Sequence, residues 1–429
     1  MHYERAADHL RRRLDGPTGA SISSFGLVLL TMMVQLLSTS DRDVAVNTLV
    51  KHIFAGQTTL AVLDQDNEVL RNRLKGSTPH RQVGGEQPHE LIIATSGSTM
   101  QHPHLVCLST DALLASAEAT NNVLGSPGQW ITTLPLNHIA GIQTVVRAAI
   151  SGHTPILAPS GKFNAKDFAQ LVTEARACTP SSVPLYTSLV SPQLLACLNE
   201  APQALSCLDY VLVGGGFIDP SLTERAKQIR ARVVRTYGMT ETSGGCVYDG
   251  IPLECATVKI DSDGIILIAG SMLMSGYFDE PAPLLYEDGQ AWFRTSDLGE
   301  IAEDGTLRIT GRVDDIIKSG GVKVNLRAVE EAASSLGMGR VCALALPDPM
   351  WGQQVALLVE HDDALSLPQR EMRARQLREA VRGNLGNAAA PRTVGFIKQI
   401  PLTSLGKVDR TLAKQQINDL IRQGDVWRR

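Results

Sequence analysis

The stretch from Leu208 to Thr236 constrains the fold more than any other. Leu208-Asp-Tyr-Val-Leu-Val213 is a strand-like run that stops at three glycines, Gly214, Gly215 and Gly216. Pro220 to Ala231 follows with helical spacing, and Val233-Val-Arg-Thr236 returns as a second strand-like run. Two strands joined through a helix lie parallel, because the helix carries the chain back over one face of the sheet. The rhythm extends upstream. Leu91-Ile-Ile-Ala94 is a short apolar run, Val145 to Ile150 and Pro155 to Ala158 are strand-like runs around a Ser-Gly-His turn, and Phe163 to Ala177 is helical. The expected fold class is α/β, with parallel and mixed sheets covered by helices.

The texture changes after residue 255. Val258 to Tyr277 and Trp292 to Thr310 read as short antiparallel strands in a barrel-like section, with Asp263-Gly264 and Asp304-Gly305 as hairpin turns. A second unit begins near Gly311-Arg312. It carries a helix (Leu326 to Ser335), two strands (Arg340 to Leu346 and Gln354 to Glu360) and a basic amphipathic helix (Pro368 to Leu385). That is a small α+β domain, and the basic helix reads as a solvated face over an apolar stripe.

Composition excludes several classes. With 429 residues and 43% hydrophobic content, the chain buries a core and spans roughly two to three domains. The 40 Lys and Arg nearly balance the 44 Asp and Glu, which argues against a nucleic-acid binder. The longest apolar run, Phe25 to Leu37, is too short for membrane insertion and reads as a buried helix. The N-terminus has no signal pattern. Seven widely spaced cysteines without a C-x-x-C pair read as reduced core thiols of a cytoplasmic protein, not as a zinc site.

Four segments carry chemistry. Thr95, Ser96, Gly97, Ser98 and Thr99 follow an apolar strand, and such a loop offers backbone N–H groups and hydroxyls to phosphate oxygens. It lacks the G-K-[ST] of a Walker loop, and a plain polar turn explains it equally well. Thr236 to Gly245 places an aromatic ring, a hydroxyl and one carboxylate within a few positions. A lone carboxylate beside phosphate-binding hydroxyls suits Mg²⁺, and a glycine-rich loop with a surface Glu241 is the competing reading. Asp297 and Arg312 can accept from and donate to ribose hydroxyls, and Asp314 stands where a hinge would be. Last, Lys407 follows a glycine near the C-terminus and could bring a point charge to a phosphate, although a solvated surface lysine is the commoner case.

In this order the four segments resemble the adenylate-forming superfamily of acyl- and aryl-CoA ligases. The resemblance covers roughly residues 88 to 415. Leu134-Pro-Leu-Asn-His-Ile-Ala-Gly141, Tyr237 to Gly250 and Asp348 to Gln353 are most similar to o-succinylbenzoate–CoA ligases of menaquinone biosynthesis. The resemblance implies an N-terminal ATP- and acyl-substrate-binding domain (1–311) and a mobile C-terminal domain (312–429). It implies ATP, Mg²⁺ and coenzyme A as cofactors, a small carboxylic acid as the other partner, and a chain that is cytoplasmic. A homodimer is compatible with it. The acid that the resemblance implies is o-succinylbenzoate; another aryl or short acyl acid, or a nucleotide-binding homologue with impaired adenylation, are the alternatives.

Residue by residue, the resemblance gives Thr95 to Thr99 the β- and γ-phosphates. Gly214, Gly215, Gly216 and Tyr237 would hold the adenine, with Gly238 and Met239 in the same nucleotide-binding segment. Thr240 would contact the α-phosphate, Glu241 the metal, and Asp297 and Arg312 the ribose. Lys407 would bridge the attacking carboxylate and the α-phosphate. His138, Ser188, Ser243, Gly244 and Gly245 would wall the acyl pocket. Asp314 would be the hinge, and Ser319 to Gly321 would line the pantetheine channel. One departure stands out: the phosphate loop continues Met100-Gln-His-Pro-His104, so that His104 stands where a lysine is expected. The implied consequence is a weaker pyrophosphate grip, because a histidine carries less charge than a lysine at neutral pH.

Overall fold

The computed structural model describes residues 35–55, 59–63, 68–76, 90–95, 103–216, 218–361, 365–403 and 408–429. The phosphate-loop residues Ser96, Gly97, Ser98 and Thr99, together with Lys407, lie outside this set. The chain forms two compact units. Among the described residues, one is built from those up to Thr95, His104–Thr257 and Gly270–Ala282, and the other from Pro103, Val258–Ala269 and Pro283–Arg429.

The first unit opens with β1 (Gln35–Ser38), α1 (Arg42–Ala55), β2 (Leu60–Leu63), α2 (Glu68–Gly76), β3 (Glu90–Ala94) and β4 (Leu105–Ser109). It continues through α3 (Thr110–Leu124), β5 (Gln129–Thr132), α4 (Ile139–Ile150), β6 (Ile156–Leu157), α5 (Ala165–Cys178) and β7 (Leu185–Val190). Then come α6 (Ser191–Glu200), α7 (Pro202–Ser206), β8 (Tyr210–Gly214), α8 (Pro220–Gln228), β9 (Val233–Met239), β10 (Gly244–Tyr248) and β11 (Ile251–Pro252).

The main sheet has seven strands in the order β11-β10-β9-β8-β7-β5-β6, and β6, β5, β7, β8 and β9 run parallel. β5 and β7 are covered on both faces and buried at every position. One face packs on α5 to α8, with Phe168, Val172, Leu194, Leu205 and Leu222 against Leu185, Val211 and Val213. The other face packs on α3 and α4. Local sequence sets the helix starts: Asn164 caps α5 by accepting from the N–H groups of Lys166 and Asp167, and Pro220 opens α8 behind Asp219.

The strand-like reading of Val145 to Ile150 is corrected. These residues end α4, nine of whose residues are buried, including Val145 and Val146. A six-residue apolar run is too short for its period to separate helix from strand, and the helix becomes evident only when the pattern is followed back to Ile139. The helical reading of Phe25 to Leu37 is corrected where it is described, since Gln35 to Leu37 lie in β1, parallel to β2.

Three further strands follow in an order that links both units: β12 (Ala256–Ile260), β13 (Ile265–Gly270) and β14 (Gly276–Tyr277). β14 completes a five-stranded sheet of order β1-β2-β3-β4-β14 in the first unit. The barrel-like section is a sheet of five strands, in which β12 and β13 join β15 (Leu284–Glu287), β16 (Gln290–Ile301) and β17 (Leu307–Arg312).

The rest of the second unit has β18 (Ile316–Ser319), β19 (Val322–Asn325), α9 (Leu326–Ser334), β20 (Val341–Asp348) and β21 (Gly352–Glu360). It ends with α10 (Leu367–Leu385), β22 (Thr393–Ile397), α11 (Arg410–Gln423) and β23 (Trp427–Arg428). Here strand alternation serves two cores. Val341, Ala343, Val355, Leu357 and Val359 pack with Val329 of α9 and Leu377 of α10. Cys342, Leu344, Ala356 and Leu358 point the other way, onto Ala413 and Ile417 of α11. The basic helix α10 buries Ala374, Leu377 and Val381, as the amphipathic pattern implies, and buries Arg378 with them while most of its other charges are exposed. No helix among the described residues is long and apolar enough to cross a membrane.

All seven cysteines are free thiols. Burial pushes Cys197, Cys246 and Cys342 up to about 12 and Cys255 up to about 11, so these thiols are poor nucleophiles. Cys178 and Cys207 are exposed. A colorimetric thiol titration of the native chain is therefore expected to find these two reacting rapidly and the buried five only after denaturation. Rapid reaction of Cys246 or Cys342 would contradict the packing.

Candidate active site

In the first unit, the predicted residues gather at one edge of the main sheet. Parallel strands end on the same side. Leu134 to Gly141 follows β5, Ser188 lies near the end of β7, Gly214 to Gly216 close β8, and Tyr237 to Glu241 end β9. The carboxyl edge of such a sheet is where ligands bind, because the connecting loops there are the polar, uncovered part of the layer.

Residues Thr236 to Gly245 are mostly strand, not the glycine-rich loop of the competing reading. β9 runs on through Tyr237, Gly238 and Met239, a 3₁₀ turn covers Thr240 to Thr242, and β10 returns antiparallel with Gly244 opposite Met239 and Gly245 opposite Gly238. Glycines let these backbones close. A Cβ on Gly238 would stand 2.0 Å from the Gly244 carbonyl oxygen, and one on Gly214 would stand 2.2 Å from Thr236 Oγ1. The turn presents Thr240 half-buried and buries Glu241, which keeps 8% exposure. Tyr277 donates its hydroxyl to Glu241 Oε1 at 3.0 Å, and Met274 N–H donates to the Glu241 carbonyl at 2.9 Å. Burial first, and then the Glu241 charge, push the Tyr277 phenol up, so that it stays a donor. The surface reading of Glu241 is thereby excluded.

The expected acyl-pocket residues divide. His138 is half-buried and begins α4 as its N-cap residue, without a side-chain capping bond. Ser188 is buried in β7, and its carbonyl accepts from Thr133 Oγ1 at 2.8 Å. Ser243 is fully buried in a left-handed conformation (φ +52°). Its hydroxyl donates to the Met272 carbonyl at 2.8 Å, and its own carbonyl accepts from Gln143 Nε2 at 2.7 Å. The Ser243 side chain holds the turn.

At the base of the phosphate loop, Thr95 and His104 clasp each other: Thr95 N–H donates to the His104 carbonyl at 2.8 Å and His104 N–H to Thr95 Oγ1 at 3.0 Å. His104 Nδ1 lies 2.6 Å from Glu280 Oε1, and its ring stacks on Tyr277 at 4.4 Å with 9° between the planes. A carboxylate and an aromatic face hold this ring.

In the second unit, Asp297 and Arg312 are directly paired across β16 and β17. Arg312 donates to Asp297 Oδ1 at 2.8 Å and to Asp314 Oδ2 at 3.1 Å, so the two expected ribose ligands and the expected hinge residue form one cluster. Burial alone would lower the Arg312 pKa, but Asp297, Asp314 and Asp315 raise it. Asp297 is buried, with Thr295 Oγ1 accepting from its N–H at 3.0 Å.

Sequence reading missed three residues of the first unit: Tyr277, Glu280 and Arg147. Arg147 lies in α4 with 3% exposure. It donates to the Tyr248 hydroxyl at 3.2 Å and lies 5.1 Å from the Trp130 ring centroid. Its Nε has no hydrogen-bond partner, and among the described residues its charge partners are Tyr248 and Cys255, with no carboxylate. The signal was present: a lone arginine inside the apolar stretch Ile142 to Ile150.

No group of three or more metal-ligating side chains occurs among the described residues. A single buried carboxylate suits Mg²⁺, which takes one or two protein carboxylates and fills its shell with water and phosphate oxygens.

The AMP-binding enzyme family matches residues 28–278, and the AMP-binding enzyme C-terminal domain matches residues 328–407. A relative in Mycobacterium tuberculosis, named "Probable 2-succinylbenzoate--CoA ligase", is 37% identical over 326 residues, which is 75% of this chain and 82% of the relative. The fold is shared with o-succinylbenzoate CoA synthetase from Bacillus subtilis in complex with its acyl-adenylate intermediate. That likeness has a TM-score of 0.72 at 20% identity and covers 96% of this chain and 91% of the other. The same Bacillus subtilis enzyme with ATP and a magnesium ion gives a TM-score of 0.67 at 19% identity, with 95% and 92% covered. The chain belongs to the AMP-binding enzyme family, and it is an adenylate-forming enzyme of the acyl-CoA synthetase class.

Gly238→Ala forces a methyl group into a backbone carbonyl. The expected outcome is a loss of about 2 kcal/mol or more of stability, as overpacking against an immovable group costs. Gly216→Ala meets nothing within 4 Å and is expected to leave the melting temperature unchanged. Thermal unfolding followed by circular dichroism compares the two, and equal melting temperatures would show that β9 and β10 do not approach as described.

Proposed function

We propose that the chain activates o-succinylbenzoate as an acyl-adenylate and transfers the acyl group to coenzyme A, in the cytoplasm, as a step of menaquinone biosynthesis. The substrate carboxylate attacks the α-phosphorus of ATP and pyrophosphate leaves. The CoA thiol then attacks the acyl carbon and AMP leaves. Both steps are governed by positioning and charge stabilisation.

In this reading Thr95 and the loop after it hold the outer phosphates, and Thr240 donates to the α-phosphate. Gly214 to Gly216, with Tyr237, Gly238 and Met239, form the bed of the adenine. Asp297 and Arg312 hold the ribose, with their mutual ion pair fixing which atoms face it. Glu241 is the residue that would hold Mg²⁺, which when bound offsets triphosphate charge. Lys407 offsets the charge of the attacking carboxylate and the α-phosphate, and Asp314 absorbs the backbone change between the two half-reactions. His138, Ser188 and the Gly244-Gly245 backbone wall the acyl group.

The observation that favours o-succinylbenzoate over a simple aryl acid is Arg147. This acid has a second carboxylate, which needs a cation when it leaves water. A buried guanidinium without an acidic partner is costly to keep and is a natural answer to that charge. Arg147 lies on the helix that His138 begins and bonds to Tyr248 at the far end of the strand that Gly244 begins.

Arg147→Gln is expected to raise KM for o-succinylbenzoate about tenfold or more, the scale of a lost charge-assisted bond. It should change turnover of benzoate little, as read by pyrophosphate release. Wild-type turnover of o-succinylbenzoate no faster than benzoate would defeat the substrate assignment. Lys407→Ala is expected to reduce adenylate formation by about a hundredfold or more. It should leave thioester formation from supplied acyl-adenylate largely intact in single-turnover measurements. Equal loss in both steps would contradict the role given to Lys407.

A further inference from the structure

The histidine at position 104 has an assignment that its charge alone does not explain. Three elements distant in sequence fix its surroundings. β14 pairs with β4, with Tyr277 opposite Val106, and Phe278 N–H donates to the Leu105 carbonyl at 2.8 Å. That pairing lays the Tyr277 ring beside the first residues of β4, where the His104 ring stacks on it at 4.4 Å. Glu280, three residues on, reaches His104 Nδ1 at 2.6 Å. Arg73 fixes the same segment through two bonds to Asp279, at 2.8 and 2.9 Å, and lies 3.9 Å from Glu280 Oε1. The far edge of the Tyr277 ring carries the hydroxyl that donates to Glu241 Oε1 at 3.0 Å.

We propose that Glu280, His104 and Tyr277 form a positioning relay for Glu241, in which the stacked imidazole fixes the phenol ring and the phenol fixes the carboxylate. The inference rests on Glu241 being the metal-holding residue of the reading above. A carboxylate with one oxygen held by a buried donor presents the other in a fixed direction, and ligand basicity and orientation are set by such outer partners. The aromatic stack matters because a phenol free to swing would not hold its hydroxyl on one oxygen. His104 is therefore suited to its place by its flat ring, which a lysine lacks. None of these residues touches the reacting atoms; they act through Glu241.

The test is calorimetric titration of the full chain with ATP at a series of Mg²⁺ concentrations, without acid or CoA, so that no turnover occurs. Tyr277→Phe keeps the ring and removes the donor. The Mg²⁺ concentration for half-maximal enhancement of ATP binding is expected to rise about tenfold, while affinity for ATP in the presence of chelator moves less than twofold. His104→Lys supplies a full charge but no ring, and is expected to raise the Mg²⁺ requirement severalfold; His104→Phe, which restores a stacking ring, should recover part of the loss. The relay is overturned if Tyr277→Phe keeps the wild-type Mg²⁺ requirement, or if His104→Lys lowers it. Wild-type protein whose ATP binding ignores Mg²⁺ would instead defeat the role of Glu241 itself, which separates failure of the relay from failure of the reading beneath it.

Discussion

The structure of the first unit depends on one constraint: a parallel sheet buried on both faces has polar chain only at its strand ends. β5, β7 and β8 carry buried residues into both layers, so the backbone of these strands is least covered at their ends. What remains is the carboxyl edge. There the sequence turns to glycine, threonine and a single glutamate, and the close approach of Gly214 to Thr236 and of Gly238 to Gly244 brings bare backbone to that edge. The chemistry lies where the core stops.

Much of this was legible because it is local. The run from Leu208 through the three glycines to Val233 names its own strand, crossover helix and strand, and the structure forms β8, α8 and β9 there. The Asp-Gly turns at Asp263 and Asp304 precede the strands they predict, and the two-core alternation of β20 and β21 follows from period-two patterning. What was not legible is either too short or non-local. Val145 to Ile150, taken apart from the rest of α4, is too short an apolar run for its period to tell helix from strand. Ser243 looked like a pocket hydroxyl, and only the approach of Met272, 29 positions away, shows what its hydroxyl bonds to. The contact between His104 and Glu280 spans 176 positions, and no spacing rule connects residues that meet through pairing of β4 with β14.

The buried arginines separate by what surrounds them. Arg378 donates to the carbonyls of Ala390 at 3.1 Å and Pro391 at 2.7 Å, and so ties the end of the α10–β22 connection. Arg410 meets Glu330 at 3.0 Å and Asp315 at 3.7 Å. Arg378 has its hydrogen bonds taken up by main-chain carbonyls and Arg410 has its charge matched by carboxylates, so a structural part is sufficient for each. Arg147 faces a phenol and an indole instead. Burial lowers its pKa first, with Tyr248 and Cys255 opposing. Replacement of such a group by a well-packed apolar residue is often neutral or stabilising, so its presence argues for a ligand charge.

Arg410 also bears on the segment around Lys407. Leu402 and Val408 bridge antiparallel on either side of it, Asp409 N–H donates to the Pro401 carbonyl at 2.9 Å, and Asp409 caps α11 through the Leu412 N–H at 3.0 Å. Arg410, the first residue of that helix, reaches Asp315, the neighbour of Asp314. The ends of the lysine-bearing segment are thus tied both to each other and to the 3₁₀ turn at Val313–Asp315. A backbone change at Asp314 would be felt at the start of α11 through a direct ion pair, without passing through the core of the unit. A direct contact between two elements is the simplest physical route by which one can bias the other. Arg410, whose second partner Glu330 is held by the Ala343 N–H at 2.8 Å, supplies that contact from a fixed base.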